Sequence, residues 1–166
     1  DVIFGKYNPA GRLTQTWPKS IDQLPDMLDY NLENGRTYMY SKERPLYPFG
    51  YGLSYTSFAY GGLKATRDGD FLKVEFNIKN TGKVDGDEVA QLYVTIPGDN
   101  AIKRLKDFTR VNIKAGAKET VTMQIPLADL RLWDEATSSW KLPNGQYTLH
   151  LGSSSADIRC KTRIRM

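Results

Sequence analysis

The sequence predicts an all-β protein: an antiparallel β-sandwich of about seven strands, preceded by an extended, loop-rich N-terminal arm. Three observations carry that reading. From residue 61 onward, apolar residues recur at every second position, the period of a half-buried strand. Turn dipeptides separate the alternating runs at short intervals, as they do in sandwiches. No helical stretch of crossover length lies between the runs, so the parallel arrangement that needs such helices is not supported.

The arm comes first and differs in composition. Residues 1–60 hold eight of the ten tyrosines and five of the eight prolines, Pro9, Pro18, Pro25, Pro45 and Pro48. Proline at that density interrupts helices and central strands, and the segment shows no sustained 3.6-residue periodicity. The opening Asp1-Val2-Ile3-Phe4-Gly5 reads as the last turn of a helix, because glycine past an apolar turn is a common stop. Leu13–Trp17 is expected to form a short strand. An arm of this size cannot build its own core, so its rings are expected to pack on a neighbouring domain. The sequence thus divides into an arm, 1–60, and a sandwich domain, 61–166.

Within the second part, the first strand is placed around Ala59–Thr66. Leu72, Val74, Phe76 and Ile78 alternate with Lys73, Glu75, Asn77 and Lys79. Ala90, Leu92, Val94 and Ile96 repeat the pattern, although Val89 and Tyr93 make the opposite face partly apolar as well. Thr109–Ile113, Val121–Leu127, Tyr147–Leu151 and Ile158–Ile164 complete the set. Asp68-Gly69, Thr81-Gly82, Asp85-Gly86, Pro97-Gly98, Ala115-Gly116 and Asn144-Gly145 mark the turns between them.

The formal net charge is +4, from 23 basic and 19 acidic residues. Residues 1–60 carry six of each sign and residues 61–158 thirteen of each, so the whole excess is Arg159, Lys161, Arg163 and Arg165. These alternate, which places them on one face of the last strand. Phosphate-backbone binders spread their cations more broadly, often with aromatics between, so a solvated strand face is the expectation and no nucleic-acid partner is assigned. No apolar run is long enough to span a membrane as a helix. A single cysteine, Cys160, excludes an internal disulfide, and with only one histidine, His150, a zinc site of His and Cys has too few ligands.

A self-sufficient active site is not apparent. Asp85, Asp87 and Glu88, and Asp134 with Glu135, read as turn residues. They do not read as an acid–base pair or as a calcium loop. Asp29 and Glu33 are four apart, but Pro25 and Gly35 argue against a helix that would align them. His150 alone could activate a serine, and it reads as an ordinary histidine on the strand face opposite Leu149 and Leu151. Cys160 reads as a small apolar residue of the inner face. Trp133 and Trp140 flank a polar loop, Asp134–Ser139. They either stack on sugar or pin that loop to the sandwich.

Six stretches together resemble the C-terminal part of glycoside hydrolase family 3, the β-glucosidase and β-xylosidase group. They are Tyr7–Leu13, Gly35–Tyr40, Pro45–Thr56, Gly86–Tyr93, Leu105–Val111 and Gly152–Arg159. The segment Pro48-Phe49-Gly50-Tyr51-Gly52-Leu53-Ser54-Tyr55 is highly specific, whereas Asn80-Thr81-Gly82 is weak alone. Met39 and Asp107 stand where the family usually has a basic residue and glycine. The resemblance implies a parent of three domains: a (β/α)8-type barrel with an aspartate nucleophile, an α/β sandwich that commonly supplies the glutamate acid/base, and a fibronectin type III-like sandwich. Residues 1 to about 45 then resemble the tail of the second domain, 46–60 the connector and 61–166 the third domain. The nucleophile motif and the acid/base glutamate match nothing in this chain, so no catalytic, cofactor-binding or metal-ligating residue is assigned.

By the same resemblance the chain is a non-catalytic structural region of a retaining glycosidase acting on terminal β-linked glucose or xylose, in the periplasm or outside the cell. Its expected partners are the catalytic domains of the same polypeptide. Arg36, Tyr38, Tyr40, Phe49 and Tyr51 are the expected interdomain contacts. The alternative is a binding module for carbohydrate or protein that uses Trp133 and Trp140. Self-association through the tyrosine-rich arm is expected if the arm is left uncovered.

Overall fold

A computed structural model describes residues 1–100 and 102–166. Two antiparallel sheets face each other. One, in the order β1-β2-β5, is made of β1 (Phe58–Asp68), β2 (Phe71–Asn80) and β5 (Lys118–Pro126). The other, in the order β4-β3-β8-β9, is made of β3 (Gly86–Thr95), β4 (Arg104–Ile113), β8 (Gln146–Gly152) and β9 (Ile158–Arg165). A small hairpin joins β6 (Leu132–Asp134) to β7 (Ser139–Lys141). All seven strands read from the alternation are present. The hairpin occupies the stretch read as a polar loop, because Asp134 caps its turn by accepting from the Ala136 amide and the Thr137 hydroxyl.

The core lies between the sheets. Leu72, Val74, Phe76 and Ile78 of β2 meet Leu92 and Val94 of β3 and Tyr147, Leu149 and Leu151 of β8, all at most 1% exposed. Leu127 and Leu130, on a single 3-10 turn after β5, close one end of this layer. Cys160 sits on the inner face of β9, packed against the core and half-buried, and burial pushes its thiol up from the usual range. Asn80 is the one fully buried amide on β2. It accepts from the Thr56 hydroxyl (2.6 Å) and donates to the carbonyls of Val84 and Ile113, fixing the crossover from β2 to β3.

The arm, residues 1–57, contains one helical turn, α1 (Thr37–Tyr40), and a 3-10 turn at Ile21–Gln23. Asp1–Gly5 is a turn closed by the Gly5 amide on the Val2 carbonyl, with Gly5 at φ 72°. Leu13–Trp17 is not a strand. It touches its partner segment at its two ends, Trp17 against Tyr47 and Leu13 against Gly50 and Tyr51. The interruption has a local cause. The Tyr51 amide donates back to the Pro48 carbonyl, a turn that runs through Gly50 at φ 82° and bends the partner away.

One sequence expectation about acidic residues is corrected here. Asp87 and Glu88 are not turn residues; both lie in β3. Asp87 faces Arg110 and Asn112 of the neighbouring strand, the cross-strand pairing that favours opposite charges.

Candidate functional site

The most elaborated region is the seam between the arm and the outer face of the four-stranded sheet. It begins on β3, a strand buried on both sides. Ala90, Leu92 and Val94 point into the core, while Gln91 (3% exposed) and Tyr93 (0%) point away from it and are buried nonetheless. What covers them is the arm.

Gln91 is held at both ends of its amide. Its Nε2 donates to the Gly50 carbonyl (3.0 Å) and the Ser153 carbonyl (2.7 Å), and its Oε1 accepts from the Tyr93 hydroxyl (2.6 Å). One side chain thereby ties together the arm, β3 and the loop after β8. Gly50 must be glycine on two counts: its φ is 82°, and a Cβ there would lie 2.0 Å from Gln91 Oε1. Next to this junction, Tyr38 stacks on Phe49 with ring centroids 4.6 Å apart and meets Tyr93 edge-on at 5.7 Å. The Tyr38 hydroxyl accepts from the Leu105 amide (2.9 Å). Burial pushes the Tyr38 hydroxyl above its usual range, against the pull of that amide.

Two further polar anchors tie the arm to the start of β3. Arg12 Nη2 lies 3.0 Å from Glu88 Oε1, and the two side chains are only 11% and 6% exposed. A buried pair of this kind repays its desolvation only with further hydrogen bonds, and Glu88 Oε1 also accepts from the Val89 amide. Tyr60, on β1, is half-buried beside Glu88; burial first and that carboxylate second push its hydroxyl far up. Asn8 donates to the Asp85 carbonyl while accepting from the Ser54 hydroxyl and the Tyr55 amide, so it joins the arm to itself and to the start of β3.

Of the five residues expected at a domain interface, Tyr38 and Phe49 meet the sandwich, and Tyr40 lies beside Arg104 at the same place. Arg36 and Tyr51 organise the arm internally. Arg36 donates to the carbonyls of Asp26 and Asp29, and Tyr51 packs against Tyr47 at 5.0 Å. Sequence reasoning missed Asn8, Arg12, Gln91 and Glu88 as the residues that fasten the arm.

The remaining candidates are dispersed. Trp133 and Trp140 pair directly across β6 and β7, edge to face at 5.6 Å, and stay 51% and 63% exposed. They line an open depression with Ile96, Arg104, Lys106 and Arg131. His150 sits on the outer face of β8, 3.1 Å from the Thr95 hydroxyl. Burial first, then Lys103 and Lys161, push its ring down to about 4. Among the described residues no three His, Cys, Asp or Glu side chains converge as metal ligands. The carboxyls of Asp85, Asp87 and Asp134 are all held below the usual range, chiefly by hydrogen bonds from Lys114, Asn112 and Lys141 respectively. None of the three is kept protonated near neutrality, as a general acid must be.

Comparison with known proteins matches the same two regions. Residues 1–55 match the glycosyl hydrolase family 3 C-terminal domain, and residues 88–155 match the fibronectin type III-like domain. The chain is a C-terminal region of glycosyl hydrolase family 3. It is 42% identical over 161 residues to a xylan 1,4-beta-xylosidase of Xylanibacter ruminicola, covering 95% of this chain and 18% of that protein. It is 32% identical to the thermostable beta-glucosidase B of Acetivibrio thermocellus, covering all of this chain and 24% of that one. Among solved structures, the beta-D-glucoside glucohydrolase of Trichoderma reesei superposes with a TM-score of 0.90 at 30% identity, covering 99% of this chain and 28% of that one. Beta-glucosidase 3B of Thermotoga neapolitana, in complex with glucose, gives 0.88 at 33%, covering 99% and 26%. The chain therefore spans about a fifth to a quarter of the length of the family 3 enzymes it matches.

Proposed function

We propose that this chain is the non-catalytic scaffold end of a family 3 β-glycosidase, with residues 61–166 as the sandwich domain and residues 1–60 joining it to the catalytic domains of the same polypeptide. The observation that carries the reading is the two-sidedness of the arm. Its inner side is fastened to the sheet by Asn8, Arg12, Tyr38 and Phe49. The arm also carries fifteen of the twenty exposed large hydrophobic residues among those described, including Ile3 (89%), Phe4 (85%), Met27 (84%) and Tyr30 (83%). An apolar surface of that extent is a contact surface. Arg36 and Tyr51, which shape the arm, act in this reading by presenting that surface.

The parent reaction in this reading is retaining hydrolysis of a terminal β-linked glucose or xylose, the activities named for the relatives, by two carboxyl groups supplied from other domains. It operates in the periplasm or outside the cell. Incubation of the chain with aryl β-glucosides and β-xylosides is expected to give no turnover. Mixing it with a separately produced barrel and α/β domain of the same parent is expected to yield a complex and to suppress binding of an apolar dye to the arm. Turnover by the chain alone, or an arm that still binds dye in the mixture, overturns the proposal. Left alone, the same surface leads the chain to self-associate; a sedimentation coefficient that does not change with concentration counts against it.

A second reading is favoured by one observation, the exposure of both Trp133 and Trp140. In it the β6–β7 hairpin offers a stacking platform to a neutral glucan or xylan. Saturable quenching of tryptophan fluorescence by soluble xylan, lost in Trp133→Ala and Trp140→Ala, supports it; no quenching refutes it.

A further inference from the structure

The outer face of the four-stranded sheet has two halves. Over β4 and β3 the arm covers it. Over β8 the described residues cover it only in part and over β9 they leave it open, and that half collects cations. Register places His150 opposite Lys161, Thr148 opposite Arg163 and Gln146 opposite Arg165, and directly opposed residues of an antiparallel pair share a face. Thr95 continues the Thr148 row on β3. Lys161, Arg163 and Arg165 are exposed, and none has a salt bridge or side-chain hydrogen bond among the described residues. Lys103 is added from the loop before β4, its ammonium held on the Ser155 carbonyl at 2.9 Å.

Two further facts mark this half as crowded with like charge. Burial first and Lys161 second push Lys103 below the usual lysine range, and His150 is depressed by burial and then by both lysines. His150 Nδ1 is also buried with no hydrogen-bond partner. On the neighbouring strand pair and hairpin, cross-strand carboxylates meet several cations: Lys114 on Asp85, Arg110 on Asp87, Lys141 on Asp134. Here no carboxylate faces Lys161, Arg163 or Arg165 across the strand pair. The whole net charge of the chain is thus concentrated on or beside one open strand face.

We infer that this β8–β9 face binds a carboxylated polysaccharide, a chain of uronic acids or a xylan carrying them, with Lys103, Lys161, Arg163 and Arg165 on its carboxylates. Alternate residues of a strand lie about 7 Å apart, so the cations form a row along the strand and not one compact pocket. Thr95, Thr148 and Gln146 lie beside the cation row, on β3 and β8, and supply hydroxyl and amide groups of the kind that bond to sugar hydroxyls. The rows expose no Tyr, Trp or Phe ring, since Tyr93 of the His150 row is buried under the arm, and this separates the face from single-strand nucleic-acid platforms, where stacking is central. The choice of a sugar acid over a phosphodiester also rests on the glycosidase reading above. The face is distinct from the Trp133–Trp140 hairpin.

The test is affinity electrophoresis and calorimetric titration of the full chain with polygalacturonate, glucuronoxylan, unsubstituted xylan and duplex DNA. Retention by the two acidic polysaccharides is expected, lost on raising NaCl from about 0.05 to 0.5 M because exposed charges are screened. Arg163→Glu with Arg165→Glu is expected to weaken it at least about tenfold, while Trp133→Ala leaves it unchanged. Because β9 is an edge strand, Arg163→Gln with Arg165→Gln serves as a milder second variant, with unfolding midpoints measured for both. The lone histidine supplies an independent reading: in NMR, bound polyuronate is expected to raise the titration midpoint of the His150 ring. Absence of salt-sensitive binding, retention that is equal in the folded charge variants, equal binding of unsubstituted xylan, or tighter binding of DNA overturns the inference. Each of these outcomes is independent of whether the chain turns over an aryl glycoside, which tests the other reading.

Discussion

The core between the sheets and the seam beneath the arm are both dry, but they are built on opposite principles. The core is almost wholly apolar; Leu72, Val74, Leu92, Leu149 and Leu151 are fully buried, and Asn80, bonded to Thr56 of the arm, is its buried amide. The seam is polar and aromatic, and each of its contacts is specific: a guanidinium on a carboxylate, an amide on two carbonyls, a phenol on a backbone amide. The core tolerates any residue of suitable shape, whereas the seam tolerates only the partner it was built for. That is how one β-sandwich holds one arm in one register, leaving the apolar side outward.

Substitutions in the core and in the seam are expected to have separable effects. Phe76→Ala removes a ring from the middle of the core and is expected to cost roughly 3–5 kcal/mol in denaturant unfolding of the whole sandwich. Glu88→Ala strands Arg12 in a dry site and is expected to cost about 3 kcal/mol, whereas Arg12→Met with Glu88→Met together is expected to restore most of that loss. If the double variant is as unstable as the single one, the seam is not held by that pair. Gly50→Ala forces a Cβ against Gln91 at positive φ and is expected to cost about 1–3 kcal/mol. Its signature is release of the arm, read by proteolysis within residues 1–57, with the sandwich intact; equal proteolysis of both regions refutes the separation.

The smallest effect is a pH dependence. The His150 ring is depressed to about 4 in the folded chain, chiefly by burial, so the unfolded chain binds its proton first as pH falls. The stability this group contributes is complete above about pH 6.5 and declines as pH drops toward 4. His150→Gln, which keeps a polar group near Thr95, is expected to flatten the stability curve in that window relative to the parent. Curves that remain parallel refute it.

The seven strands were legible because burying one face of a strand writes an alternation into the sequence. The double burial of β3 was half legible. Val89 and Tyr93 marked its second face as partly apolar, but Gln91 carried no such mark, since a glutamine between two core residues reads as solvated. Arg12 and Glu88 were illegible as a pair. Their partnership spans 76 residues, and no local period records a contact that distant. Leu13–Trp17, expected as a short strand of the arm, touches its partner only at its ends, because the turn through Gly50 in the facing segment denies it a continuous ladder. Trp133 and Trp140 were read as flanking a loop, yet they pair across a hairpin, because the Asp134 turn holds their strands in register.

The order of the chain gives the seam a temporal consequence. Arg12 is synthesised long before Glu88, and Gly50 before Gln91 and Ser153, so the arm leaves the ribosome with its fastenings still unmade. At roughly 5–20 residues per second, its inner side waits on the order of seconds for β3 and then for β8. A segment made before the strands that fasten it is locked only when they follow, and long-range closure of this sort folds slowly.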